Sequence, residues 1–144
     1  MTETDTKTKV EFNHAMIYTT KLAQALEFYR EVLGFELIER YASAYARLQS
    51  PRGTTTIALH AVEAGQEIHP QTEGLRLYFE VEGLDAYCET LLQRGVHFDQ
   101  MPKDMPWGWR HAYLRDPDGH EISLYWAGAA RFKKTAGADE RNAR

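Results

Sequence analysis

Apolar residues recur with two different periods along the chain, and the switching between them lays out its elements. Leu22, Ala25, Leu26, Tyr29 and Leu33 fall three or four residues apart and stop at Gly34, and Leu84, Tyr87, Cys88, Leu91 and Leu92 do the same before Gly95. That spacing paints an apolar stripe on one face of a helix, and a glycine after the last apolar position suits a left-handed C-terminal cap. Around each helix the pattern changes to short strand-like runs. One run precedes each helix, Phe12 to Thr19 and Leu75 to Val81; three follow, at 35–40, 44–49 and 54–61 in the first case and near 97–101, 110–115 and 120–126 in the second. The order is β-α-β-β-β, and it occurs twice.

The two copies match in sequence order as well as in kind. "MIYTTKLAQALEFYREVLGFEL" and "LYFEVEGLDAYCETLLQRGVHF" each hold a strand, an amphipathic helix, and a glycine followed by an apolar residue and a new strand; AGQEIHPQTEG links them. The predicted organisation is one α+β domain over 11–127, with module one at 11–61, a linker at 62–73 and module two at 74–127. Residues 1–10 and 128–144 are polar, small or charged and show no period, so both ends are expected to be disordered.

Alternation along the strands decides which side chains share a face. In LRLYFEV, Leu75, Leu77, Phe79 and Val81 point one way, under a helix, and Arg76, Tyr78 and Glu80 the other. In "LRDPDGHEISLYW", Pro117 and Asp118 suit the centre of a type I turn and Gly119 the left-handed residue after it, so Asp116 and His120 close the loop. That register sets Tyr113 opposite Ser123 and His111 opposite Tyr125, all on one side, with Ala112, Leu114, Ile122, Leu124 and Trp126 on the other. By the same rule His14, Met16 and Tyr18 share a face, as do Ala58 and His60. Arg115 and Glu121 face each other at the hairpin mouth and read as a solvated surface pair.

The chain has 144 residues and is 43% hydrophobic, enough for one core and a small-molecule cleft. Its formal net charge of -4, with both signs interspersed, is not the footprint of a nucleic-acid binder. No apolar stretch spans a bilayer, no leader pattern opens the chain, and there is one cysteine, Cys88. A cytoplasmic protein without disulfides and without a membrane partner is expected.

The duplicated plan, the run "FNHAMIYTTKLAQALEFYREVLGFELIER" and the closing "DPDGHEISLYW" resemble the vicinal oxygen chelate (VOC) superfamily, the group of glyoxalase I, extradiol dioxygenases, fosfomycin-resistance enzymes and bleomycin-binding proteins. The resemblance covers nearly everything from residue 11 to 127. It implies two modules that curl a mixed sheet into a cup around one ligand site, and a homodimer. It also implies a place for each metal ligand. The first-strand place falls on His14, the last strand of module one offers Ala58 with His60 two residues on, the first strand of module two offers Arg76, and the last strand has Ser123 where the family pattern has glutamate.

Alanine has no donor atom, arginine has no lone pair to give, and a serine hydroxyl is a poor substitute for a carboxylate on a divalent ion. No cofactor is therefore predicted. The alternative is one divalent ion, iron, manganese, nickel or zinc, held by His14 with His60 and His111. What remains is a polar-aromatic set: Met16, Tyr18, Arg76, Tyr78, Tyr113, Ser123 and Tyr125, joined by Trp107 and Trp109 in the loop PKDMPWGWRH, which reads either as an aromatic lid or as a subunit contact. Flat rings would stack on the tyrosines, and an acidic group would pair with Arg76. His69, His97 and His120 lie in the linker or at strand ends and read as structural.

Three functions remain open: a metal-free protein that binds a small acidic or aromatic molecule; a metal-dependent lyase, isomerase or dioxygenase; and a metal-free enzyme with His14, His60 or His111 as general base and Arg76 stabilising an oxyanion.

Overall fold

The computed structural model describes residues 8–69 and 74–133, and the chain divides between Ile68 and His69 into two compact units. The remaining residues, which include most of the ends expected to be disordered and part of the expected linker, lie outside the described set.

Unit one runs β1 (His14–Thr19), α1 (Leu22–Glu27), a π-helical turn (Phe28–Val32), β2 (Glu36–Tyr41), β3 (Tyr45–Gln49) and β4 (Thr56–Ala61). Its sheet order is β1-β4-β3-β2, with β1 parallel to β4 and the other pairs antiparallel. The apolar stripe runs from Leu22 through Tyr29 to Leu33 as its spacing predicts, and these side chains pack with Ile17, Leu48, Ile57 and Leu59 in a buried core. A single α-helix does not carry that stripe to its end. The last turn widens, Leu33 N–H donating to the Phe28 carbonyl at 3.3 Å and Phe35 N–H to that of Tyr29 at 2.9 Å, before Gly34 reverses the chain at φ +75.

Unit two repeats the plan: β5 (Leu77–Glu80), α2 (Leu84–Gln93), β6 (Gln100–Asp104), β7 (Arg110–Arg115) and β8 (Glu121–Trp126), in the order β5-β8-β7-β6 with β5 parallel to β8. This is the α+β fold of two βαβββ modules. Leu84, Cys88 and Leu91 of α2 are buried, as are Ala112, Leu114, Ile122 and Leu124 on one face of the sheet. Leu75, expected under the helix, is exposed, because β5 begins only at Leu77.

The hairpin expected at Asp116 to His120 forms in the register read from the sequence: Tyr113 pairs with Ser123, His111 with Tyr125 and Arg115 with Glu121. Gly119 has φ +95, and its N–H donates to the Asp116 carbonyl at 2.9 Å. Strand β6 starts three residues later than expected. Pro102 brings no N–H to a ladder, and here it lies on an edge strand within the register shift between Gln100 and Lys103.

Beyond β8, Gly128–Phe132 forms a short 3-10 helix inside the stretch read as tail. The Glu80 carboxylate holds its start by accepting the N–H groups of Ala127 at 3.0 Å and Gly128 at 2.9 Å. No helix among the described residues is long and apolar enough to cross a membrane.

Candidate functional site

In unit one the ladder β1-β4-β3 puts His14 beside Thr56, Met16 beside Ala58 and Tyr18 beside His60; Ala58 and His60 are in turn paired with Arg47 and Tyr45. The His14 ring nitrogen Nδ1 is 2.7 Å from the Thr56 hydroxyl, and His60 Nδ1–H donates to the Ala61 carbonyl at 2.9 Å. Tyr18 and Tyr45 meet the His60 ring edge-on. His60 lies four residues beyond Thr56, the partner of His14, so the two histidines are about 13 Å apart along their strands. They cannot ligate one ion, which removes the three-histidine centre of His14, His60 and His111.

Unit two gathers most of the remaining predicted residues. His111 is 1% exposed and lies among five rings: Tyr78 at 5.4 Å, Trp107 at 5.3 Å, Trp109 at 6.1 Å, Tyr113 at 5.6 Å and Tyr125 at 6.0 Å between centroids. The hairpin register explains Tyr113 and Tyr125, the pairing of β5 with β8 explains Tyr78, and the short β6–β7 loop explains the tryptophans. That loop is closed by Met105 N–H to the Trp109 carbonyl at 2.8 Å and by Gly108 N–H to that of Met105 at 2.9 Å. Arg110 anchors its base, bonding Asp85 at 2.8 and 2.9 Å and Asp104 at 2.9 Å. Trp109 stacks on Tyr125 at 5.2 Å with 16° between planes, and Trp107 meets His111 edge-on. Both tryptophans thus pack on their own module.

His111 Nδ1 shares a hydrogen bond with the Tyr113 hydroxyl at 2.9 Å, while its Nε2 is buried without a hydrogen-bond partner among the described residues. Burial, aided by the charge of Arg76, holds the His111 pKa below its ordinary value, so the ring is neutral near pH 7. The hydroxyl of Ser123, a residue with 0% exposure on the same face, is likewise without a partner.

Arg76 is not a free cation. Its Nη2 donates to Glu121 Oε2 at 3.1 Å, and its guanidinium carbon lies 4.3 Å from the Tyr113 ring centroid. Burial disfavours the charge, but hydrogen bonds to Glu121 and Tyr78 outweigh it and raise the pKa. Glu121 is therefore no solvated surface residue: its side chain is 12% exposed, and Arg115, 3.9 Å away, bonds more closely to Asp99 at 3.0 Å. Its role was legible in principle, since it stands two residues before Ser123 and so faces the same side. Sequence reasoning also passed over Arg47, which pairs with Glu39 at 3.4 Å beside Ala58.

The four ligand places implied by the resemblance thus carry His14, Ala58, Arg76 and Ser123. They do not fit a divalent ion. Alanine offers no donor atom, arginine no lone pair and serine only a neutral hydroxyl, so His14 is the one good ligand of the four. Among the described residues, Asp116, Asp118 and His120 are the one group that brings three metal-capable atoms together. Its atoms serve the turn: Asp116 Oδ1 accepts the N–H groups of Asp118 and His120, and Oδ2 meets His120 Nδ1 at 2.7 Å. His97 sits on the surface, 3.7 Å from Asp99. Burial pushes the Cys88 thiol up to about 11, away from nucleophile chemistry.

The sequence matches the model of the Glyoxalase/Bleomycin resistance protein/Dioxygenase superfamily over residues 11–124, and the chain belongs to that family. Among curated proteins none matches the sequence. Solved structures share the fold. A lactoylglutathione lyase from Agrobacterium tumefaciens is 18% identical with a TM-score of 0.66, covering 83% of this chain and 96% of its own. A superfamily member from Sphaerobacter thermophilus DSM 20745 is 27% identical with a TM-score of 0.63, covering 81% and 98%. TioX from Micromonospora sp. ML1 is 20% identical with a TM-score of 0.64, covering 81% and 98%.

Proposed function

We propose that this protein binds a small aromatic organic molecule against the polar-aromatic face of module two, without the metal centre used by enzymes of its family. The observation that carries the reading is the ring cluster around His111, with a guanidinium standing where a metal ligand would stand. Aromatic walls offer stacking to any flat guest. The ion pair of Arg76 with Glu121 changes the expected ligand. A guanidinium whose charge is already met by a carboxylate attracts an acidic guest less, so aromatic character is the stronger requirement. Cytoplasmic location and a homodimer complete the proposal. The first rests on a single, buried and free cysteine, the second on family likeness alone.

Titration of intrinsic tryptophan fluorescence with naphthalene-sized compounds tests it, alongside metal analysis of protein purified without added ions. Saturable quenching that is lost on Trp109→Leu is the expected result. Absence of binding by any ring compound, or stoichiometric iron, manganese, nickel or zinc, would overturn it.

One observation favours a second reading, a metal-free enzyme. His111 keeps a neutral imidazole whose Nε2 is uncommitted, within the field of Arg76, and that is the state a general base requires. Proton exchange between solvent and a bound carbon acid, abolished by His111→Phe, is its test.

A further inference from the structure

Three buried polar atoms on one face of module two have no partner among the described residues: Nε of Arg76, Nε2 of His111 and Oγ of Ser123, the last two on adjacent strands of one hairpin. Buried polar groups in folded proteins are nearly always hydrogen-bonded, because leaving one bare costs folding free energy that an apolar residue of similar shape would not. Here the last two lie together. Tyr113 pairs with Ser123 and Tyr125 with His111, so His111 and Ser123 are diagonal neighbours with Cβ atoms about 7 Å apart, near enough for one polar edge to reach both. Rings surround His111, and the charges on this face are offset or solvated: Arg76 is matched by Glu121, Lys103, opposite His111 on the edge strand, is exposed, and Glu80 is committed to the N–H groups of Ala127 and Gly128.

We propose that His111 Nε2 and Ser123 Oγ form the hydrogen-bonding edge of the binding site, and that its guest is a neutral planar heteroaromatic or phenol presenting a donor and an acceptor side by side, as a ring lactam does. This rests on the aromatic-binding reading above and adds the polar edge and the charge state. A serine hydroxyl both donates and accepts, so it complements whichever role the imidazole tautomer leaves to Nε2. The guest's ring lies against Trp109 and Tyr125, already parallel to each other, and its polar edge points at the sheet. Trp107 and Tyr78, 40% and 46% exposed, are the walls that reach solvent; Trp107, at the tip of its loop, yields to admit the ring. An ionised acid gains little here, because Glu121 offsets the charge of Arg76, and Lys103, the partner of His111 on the edge strand, is exposed to solvent.

The test uses the full chain and three probes of one size: 2-quinolinone, naphthalene and 2-naphthoate, titrated by tryptophan fluorescence. The expected result is 2-quinolinone binding about tenfold or more tighter than either other probe, the gain of one or two satisfied hydrogen bonds. In Ser123→Ala and in His111→Phe, which keeps a ring in the cluster, that preference over naphthalene falls to about twofold or less. If His111→Phe does not fold, Ser123→Ala alone carries the comparison. Equal affinity for 2-quinolinone and naphthalene overturns the polar edge and leaves aromatic binding standing. Tightest binding of 2-naphthoate overturns the neutral guest, again without touching the broader reading. Binding of none of the three overturns both.

Discussion

Arg76 donates to Glu121 across 3.1 Å, from the residue before the first strand of module two to the last strand, and its guanidinium carbon stands 4.3 Å from the centre of the Tyr113 ring. The pair fixes the cation's place and cancels its charge at once. Glu121→Gln removes the anion while keeping the shape. With side-chain exposures of 33% and 12%, part of the attraction is screened, so the expected loss of stability is about 1–2 kcal/mol in urea unfolding. The variant should also gain affinity for 2-naphthoate, since the charge of Arg76 is then no longer offset. Unchanged affinity for the acid would show that the pair does not set the site's charge preference.

Ser123 supplies the clearest conflict between folding and function. Its hydroxyl is buried and unpartnered, so Ser123→Ala should raise the stability of the ligand-free protein, by about 1 kcal/mol, in a thermal or urea melt. A drop in stability of similar size would mean that the hydroxyl is bonded in the folded protein.

Two histidines pull the pH dependence in opposite directions. The folded-state pKa of His111 lies below 6.5, mainly through burial, so the unfolded chain binds the extra proton first and the stability gained by keeping this ring neutral is lost as pH falls below about 6.5. For His120 the hydrogen bond to Asp116 raises the pKa above 6.5, so its contribution is complete at low pH and disappears as pH rises through the folded value. His120→Asn should therefore leave a protein whose stability climbs with pH across the range near 6.5 more steeply than the parent's, and His111→Phe one whose stability climbs less. Denaturant midpoints over a pH series read both slopes, and identical slopes in all three proteins would contradict the assignment.

The tryptophan loop depends on Arg110, whose three hydrogen bonds tie its base to Asp85 at the start of α2 and to Asp104 on β6. Arg110→Ala should loosen the loop without unfolding the sheet: red-shifted tryptophan emission, faster amide exchange at residues 105–109 and weaker aromatic binding. Salt should weaken the same anchor in the parent protein, because these groups meet solvent.

Metal removal is expected to be silent. Dialysis against a chelator should leave the thermal midpoint unchanged, because His14 is the one good ligand among His14, Ala58, Arg76 and Ser123. A midpoint that falls on chelation and returns with one divalent ion would contradict this.

How much of this was legible in the chain depended on the range of the physics involved. Helices α1 and α2, the succession of strands along each module and the hairpin register from Arg110 to Trp126 follow from local periodicity and from the turn chemistry of Asp116 to Gly119, interactions that reach only a few residues. The same periodicity placed His111, Tyr113, Ser123 and Tyr125 on one side. The late start of β6 was missed because Pro102 lies on an edge strand, where a bulge absorbs a residue that a central strand would reject. Alternation states which side a residue faces, never how far along the strand its partners are; the parallel register of β1 with β4 therefore decided that His14 and His60 stand apart.

The amino-acid order alone determined the duplicated βαβββ plan and the family, and it put alanine, arginine and serine at three of the four ligand places that the resemblance implies, because periodic burial and the chemistry of single side chains are properties of the chain itself. Only the tertiary structure decided that Glu121 reaches across from β8 to neutralise Arg76, that the tryptophans close on His111, and that Nε2 of His111 and Oγ of Ser123 are left bare. Those are contacts between strands and loops far apart in sequence, and their free energies exist only once the chain has brought them within a few ångströms of each other.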